Sequence, residues 1–212
     1  FLTVIFDLTV AVQFGLVVAC VFFLMRMNNL TVVEPVTLPF NVPDTVEAWH
    51  IKGALFFGSV SNDVVAHSHR PILLIRERMP TSESLKRIEI CLDESDQSLR
   101  VQGFFTEHVD LFEQGTSFTL IHVQKSAEDE QANGFAETGT IANEVESILT
   151  RAGMNVSTKT LYGDVGDVIA EHAEEENYDM IVMGSHGYGR FKAAVMGSTA
   201  TRIAATGDVP LL

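Results

Sequence analysis

Two cysteines in 212 residues leave no disulfide framework. Cys20 sits in an apolar run and Cys91 in a short strand pattern, and both read as small core hydrophobes of a reducing compartment. Cations are scarce too. Fourteen Lys and Arg against 28 Asp and Glu give a net charge of −14, which excludes the broad basic surface of a nucleic-acid binder. No G-x4-G-K-[ST] phosphate loop occurs, and Gly187-Tyr188-Gly189 is too short for a dinucleotide fingerprint. What is abundant is apolar: 46% of residues, with a mean hydropathy of +0.18. That figure conflicts with the charge until the chain is divided. Residues 1–35 carry only Asp7, Arg26 and Glu34 as charged groups, whereas residues 86–212 hold 21 acids against 9 bases, a net −12.

Leu8 to Met25 reads LTVAVQFGLVVACVFFLM, with Gln13 its only strongly polar member. With residues 1–7 added, the run reaches the ~20 apolar residues that cross a bilayer. A signal peptide would need a basic n-region and a small-residue cleavage site; here the only nearby cation, Arg26, follows the run and predicts a cytoplasmic flank. Asp7 and Gln13 face either a helix-bundle interior or the membrane interface. FLTVIFDLTVAVQFGLVVAC followed by FFLMRM resembles the last transmembrane helix of the SulP anion transporters, and VPDTVEAWHIKGALFFGS resembles the first strands of the STAS domain that follows it in them. The resemblance implies a permease context over 1–26 and a linker with a STAS-like remnant over 27–57. Phe1 and the apolar end Leu211-Leu212 predict that the chain is a piece of a longer one.

The chain also matches itself. Gly58-Ser59 through Ala66, then Pro71-Ile72-Leu73, aligns at a constant offset with Gly197-Ser198 through Ala205, then Pro210-Leu211-Leu212. Each copy is Gly-Ser, a helical pattern, a polar turn, proline and an apolar strand. Residues 58–78 therefore read as the tail of a preceding copy of the 86–212 domain, joined to it by a linker at 79–85. The tail lacks a body of its own. Its strand Pro71–Arg76 is expected to pair with Val209–Leu212, as a second subunit's last strand would, the alternative being a homodimer through Val209–Leu212.

Strand and helix periodicities alternate over 86–212. Strands are predicted at Ile88–Leu92, Ser117–Val123, Val156–Leu161, Met180–Met183 and from Val209. Helical spacing runs through Val101, Phe104, Phe105 and His108, through Ile141, Val145, Ile148 and Leu149, and over Val165–Glu175 and Ser198–Ala205. This order predicts an α/β fold with a doubly wound parallel sheet of five strands, and ligands at the strands' carboxyl ends. Glu128-Asp129-Glu130 and Glu174-Glu175-Glu176 read as solvated surface. Asp93 closes a strand at the ligand edge, as a ligand contact or as a helix cap.

Met183-Gly184-Ser185-His186-Gly187 follows a predicted strand, and nine residues later Gly197-Ser198 opens a helix. Glycines let backbone N–H groups approach an anion, and a helix start adds free donors and partial positive charge. Ser198 either caps that helix or donates to a phosphate oxygen. The spacing G-x2-G-x9-G-[ST] resembles the nucleotide signature of the universal stress protein family, and the resemblance runs from EICLDES through LYGDVGDVIAEHA and YDMIVMGSHGYGRF to VMGSTATRI. It implies ATP, with Mg2+, as the ligand. Asp93 and Val123 would line the base pocket, Gly184, Gly187, Gly197 and Ser198 would meet the phosphates, and Met183 and Thr199 beside them would complete the nucleotide site, with Arg190, Lys192 and Arg202 nearby. Glu94, where the family commonly has glycine, departs from the pattern and would repel phosphates if it pointed inward.

No catalytic group and no metal site is expected. His67 and His69 have no clear companions for a metal, and His186 reads as a polar neighbour of phosphates. The expected function is a nucleotide-binding regulatory domain, membrane-attached with its acidic domain cytoplasmic. A nucleotide-independent dimerising module and a plain permease tail are the alternatives.

Overall fold

The structure is a computed structural model that describes residues 8–28, 32–35, 44–52, 68, 70–75, 85–93, 95–124, 139–184 and 196–212. Short β-rich runs separated by amphipathic helices fold into seven strands and five α-helices among these residues: α1 (Leu8–Asn28), β1 (Val32–Pro35), β2 (Glu47–Lys52), β3 (Ile72–Ile75), β4 (Arg87–Cys91), α2 (Asp96–His108), β5 (Ser117–Gln124), α3 (Gly139–Arg151), β6 (Asn155–Tyr162), α4 (Val165–Glu175), β7 (Met180–Met183) and α5 (Ser198–Thr206). The helix predicted at Val165–Glu175 and the strand at Met180–Met183 have the expected bounds.

The acidic half forms a parallel sheet in the order β6-β5-β4-β7. Its chain order reverses between β4 and β7, which puts helices on both faces. Alternation along each strand sends one set of side chains to each layer. Ile88, Ile90, Phe118, Leu120 and Val182 pack under α2 and α3 with Phe105, Val145 and Leu149. Ile121 and Ile181 pack under α4 and α5 with Ile169, Ala173, Ala200 and Ile203. Phe105 is fully buried, its ring 5.4 Å from Phe104, 5.8 Å from Phe112 and 5.7 Å from Phe118.

Four strands stand where five were expected. At the fifth place Leu211 makes only a single-residue bridge, parallel to Ile181 and antiparallel to Leu74. Pro210 cannot donate to a ladder, which shortens any strand there. Leu74 N–H donates to the Leu211 carbonyl at 2.7 Å and Leu211 N–H returns the bond at 3.0 Å. The expected pairing of 71–76 with 209–212 is thus present within the chain only as this one bridge, with residue 76 outside the described residues. The other side of β3 runs parallel to β2, and β2 is antiparallel to β1. Val46, Leu73 and Ile75 join the α2–α3 core, so this unit is packed on the domain. The other residues of the segment expected to be a preceding-copy tail, 58–67, 69 and 76–78, lie outside the described residues.

The apolar N-terminal run is helical over α1, 21 residues, and Val12, Phe14, Leu16, Phe22 and Phe23 are exposed. Its side chains are described only at 10–23 and 25. Among the described residues no helix is long and apolar enough to cross a membrane, so the crossing expected over 1–26 is not found there.

Candidate functional site at the carboxyl edge

Parallel strands deliver their carboxyl ends to one edge, and the register fixes what lies there. Cys91 is level with Ile121 and with Met183, so Asp93 and Val123 follow their partners by two residues and Gly184 by one. The four candidate positions Asp93, Val123, Met183 and Gly184 therefore share the edge at the switch point between β4 and β7.

Asp93 is engaged locally. Its Oδ1 accepts from the Ser98 hydroxyl at 2.8 Å, from the Ser95 N–H at 3.1 Å and from the Ser95 hydroxyl, while its own N–H donates to Ser98 Oγ at 2.8 Å. Ser95 and Ser98 are buried. These bonds brace the turn ahead of α2, whose N-cap is Ser95 with no side-chain cap bond, so Asp93 does not itself cap the helix. Beside it, a Cβ on Gly184 would stand 2.5 Å from the Cβ of Gln97. Glycine at 184 is thus required by the approach of β7 to the first turn of α2, a packing reason that the motif alone did not reveal.

Helix α5 begins at Ser198 with Gly197 as its N-cap, and no side chain caps it. Ser198 is exposed and Thr199 half-buried. The first N–H groups of a helix have no intrahelical acceptor, and with the macrodipole they favour an anion. Arg202 is not free to join them. Its guanidinium pairs with Asp167 at 2.6 Å and lies 3.7 Å from Asp164, both at the start of α4. Gly187, Glu94, His186, Arg190, Lys192, His67 and His69 lie outside the described residues.

A cavity of about 760 Å³ opens at this edge, lined by Gln97 and Arg100 of α2, Met183, Gly184, Met196 at the approach to α5, and Arg70 ahead of β3. Its size is in the range of small-ligand sites, ~300–1,000 Å³. Asp93, Val123, Gly197, Ser198 and Thr199 do not line it. Arg70 and Arg100 do, and sequence reading missed both, because neither belongs to a motif and Arg70 reaches the edge only through the β3–Leu211 pairing. Among the described residues no group of three His, Cys, Asp or Glu is placed to hold a metal.

A second polar cluster lies below the edge, on the α4 face of the sheet. Glu89 is fully buried in β4. Its Oε2 lies 3.1 Å from His172 Nδ1, and Cys91 Sγ is 3.9 Å from its Oε1. Lys159 Nζ stands 2.9 Å from His172 Nε2. Burial pushes the Glu89 carboxyl up to about 8 and holds the Cys91 thiol well above its usual range. Burial also lowers the His172 imidazole, helped by the nearby Lys159 charge.

Comparison with known proteins matches the Universal stress protein family over residues 84–212. The curated Universal stress protein Slr1230 of Synechocystis sp. is 30% identical over 93 residues, 44% of this chain and 30% of that protein. A universal stress protein structure from Archaeoglobus fulgidus superposes with a TM-score of 0.54 at 20% identity, covering 79% of this chain and 59% of that one. Another from Archaeoglobus fulgidus, in complex with dAMP, gives a TM-score of 0.43 at 24% identity over 64% of this chain and 96% of that one. The chain spans 30% and 45% of the lengths of two curated relatives it matches. Through its matched residues 84–212, this chain belongs to the universal stress protein family.

Proposed function

We propose that this domain binds an adenine nucleotide at the carboxyl edge of its sheet and acts as a regulatory module, with no catalytic step of its own. One observation carries the reading: the ends of β4, β5 and β7 and the uncapped start of α5 meet at one edge beside a ligand-sized cavity. The phosphates would lie against the N–H groups of Ser198 and Thr199 and the Ser198 hydroxyl. Arg100 supplies positive charge in a domain otherwise hostile to anions, while Arg70 lies 3.8 Å from Glu47 and shares the cavity lining with Asp44 and Glu107. Asp93, occupied by Ser95 and Ser98, would position the edge that the base contacts. With no group of three acids or other metal ligands among the described residues, a magnesium ion accompanying ATP would be held by the phosphates and water. Calorimetric titration of the full chain with ATP and with AMP, each with and without Mg2+, tests this. Saturable binding supports it, and no heat at millimolar nucleotide refutes it.

We further propose, on the exposed apolar side chains of α1, that the chain is membrane-attached through residues 1–26 beside a SulP-type anion permease, with the acidic domain in the cytoplasm. Retention in membranes after a carbonate wash supports attachment, and release into the supernatant refutes it.

A further inference from the structure

A carboxyl group buried in the middle of a parallel sheet costs stability unless it is partnered or neutral. Glu89 is both deep and partnered, and its partners form a path outward. His172 on α4 links it to Lys159 on β6, whose ammonium is about half exposed and lies 3.8 Å from Glu176. An ammonium can only donate, so His172 Nε2 is the accepting nitrogen and the imidazole proton sits on Nδ1, donating to Glu89 Oε2. This arrangement holds for one protonation state alone. A second proton on the imidazole turns Nε2 into a donor facing a donor, and places two cations 2.9 Å apart.

We propose that Glu89, His172 and Lys159 form a proton-operated clamp between α4 and the sheet, closed while the imidazole is neutral and released when it is protonated. The other charged and titratable groups facing the imidazole do not replace Lys159. Arg87 of β4 adds a further repulsive cation. Cys91 stays a neutral thiol, and Tyr178, following α4, bonds through its hydroxyl to Thr119 of β5. Glu175 and Glu176 of α4 favour the charged imidazole, but Glu176 is shared with Arg87 at 3.4 Å and Lys159 at 3.8 Å. The direction of the imidazole's shift, downward by burial, agrees with a clamp that is closed at neutral pH. Release would reach α5 as well, because Asp167 and Asp164 of α4 hold Arg202.

Amide hydrogen exchange of residues 165–176 in the full chain, corrected for the intrinsic rate, tests the clamp from pH 7.5 to 5. In the native sequence the Glu89 carboxyl, pushed up to about 8, offsets the release by stabilising the sheet as pH falls. The profiles are therefore read in a Glu89→Gln background, where the amide oxygen still accepts from Nδ1. Exchange there should rise about tenfold for each pH unit below the imidazole's midpoint. Adding Lys159→Gln supplies an acceptor in place of the ammonium, so exchange should stay flat over the same range. Adding His172→Gln removes the titrating ring and should be flat too. An NMR titration of the native His172 ring, independent of the variants' folding, should give a midpoint below 6.5. A midpoint at or above 6.5, a flat Glu89→Gln profile, or an unchanged acid rise once Lys159→Gln is added would each overturn the proposal.

Discussion

Leu74→Pro tests whether β3 is part of the domain's cooperative structure. Leu74 is 6% exposed, and its N–H makes the 2.7 Å bond to the Leu211 carbonyl. Proline removes the donor and leaves that acceptor in a place closed to water. The lost bond is worth about 1 kcal/mol and the orphaned carbonyl ~1–3 kcal/mol. Losing the leucine's packing adds a further ~1–2 kcal/mol, part of its full burial. A total of about 3–6 kcal/mol follows. At ~2–4 °C per kcal/mol for a chain of this size, thermal unfolding followed by circular dichroism should move down by roughly 6–24 °C. A shift under about 2 °C would refute the reasoning, since residues 71–75 would then be an appendage rather than a core strand.

Three other outcomes are expected from the same geometry. Gly184→Ala should lose about 1–3 kcal/mol of stability in urea unfolding, because its Cβ meets the Gln97 stem at 2.5 Å and α2 must shift. Phe105→Ala should lose ~3–5 kcal/mol by the same assay, being fully buried among three other phenylalanine rings. The third concerns pH. The folded Glu89 carboxyl titrates near 8 against 4.5 when unfolded. Its contribution is therefore complete below pH 4.5 and is lost as pH rises toward 8, on the order of 5 kcal/mol across that window. Glu89→Gln should flatten this alkaline fall in a series of urea titrations.

The sequence made some of this architecture legible and hid the rest for physical reasons. Val165–Glu175 and Met180–Met183 were readable because their apolar spacing meets a layer on one face or on both. The pairing of β3 with Leu211 was readable because both segments repeat one pattern. The fifth strand was over-read: its apolar residues are real, but Pro210 limits the ladder to a bridge. Glu89 could have been found, since a carboxylate between Ile88 and Ile90 in a strand covered on both faces demands a partner. His172 could have been found as well, because it falls on the same helical stripe as Ile169 and Ala173. Arg202 was misplaced because spacing along a helix does not say which neighbouring acids will hold a side chain. The role of Gly184 against Gln97 lay beyond sequence, since it depends on how closely a strand end and a helix start approach in space.

The central claim is that an adenine nucleotide sits at the carboxyl edge, and the most direct test is backbone-amide NMR of the full chain during titration with AMP. The account predicts saturable shifts at Gly184 and at Gly197, Ser198 and Thr199, with smaller ones at Asp93, and none on the α4 face around Lys159. Shifts confined to other regions, or none at millimolar AMP, would contradict it.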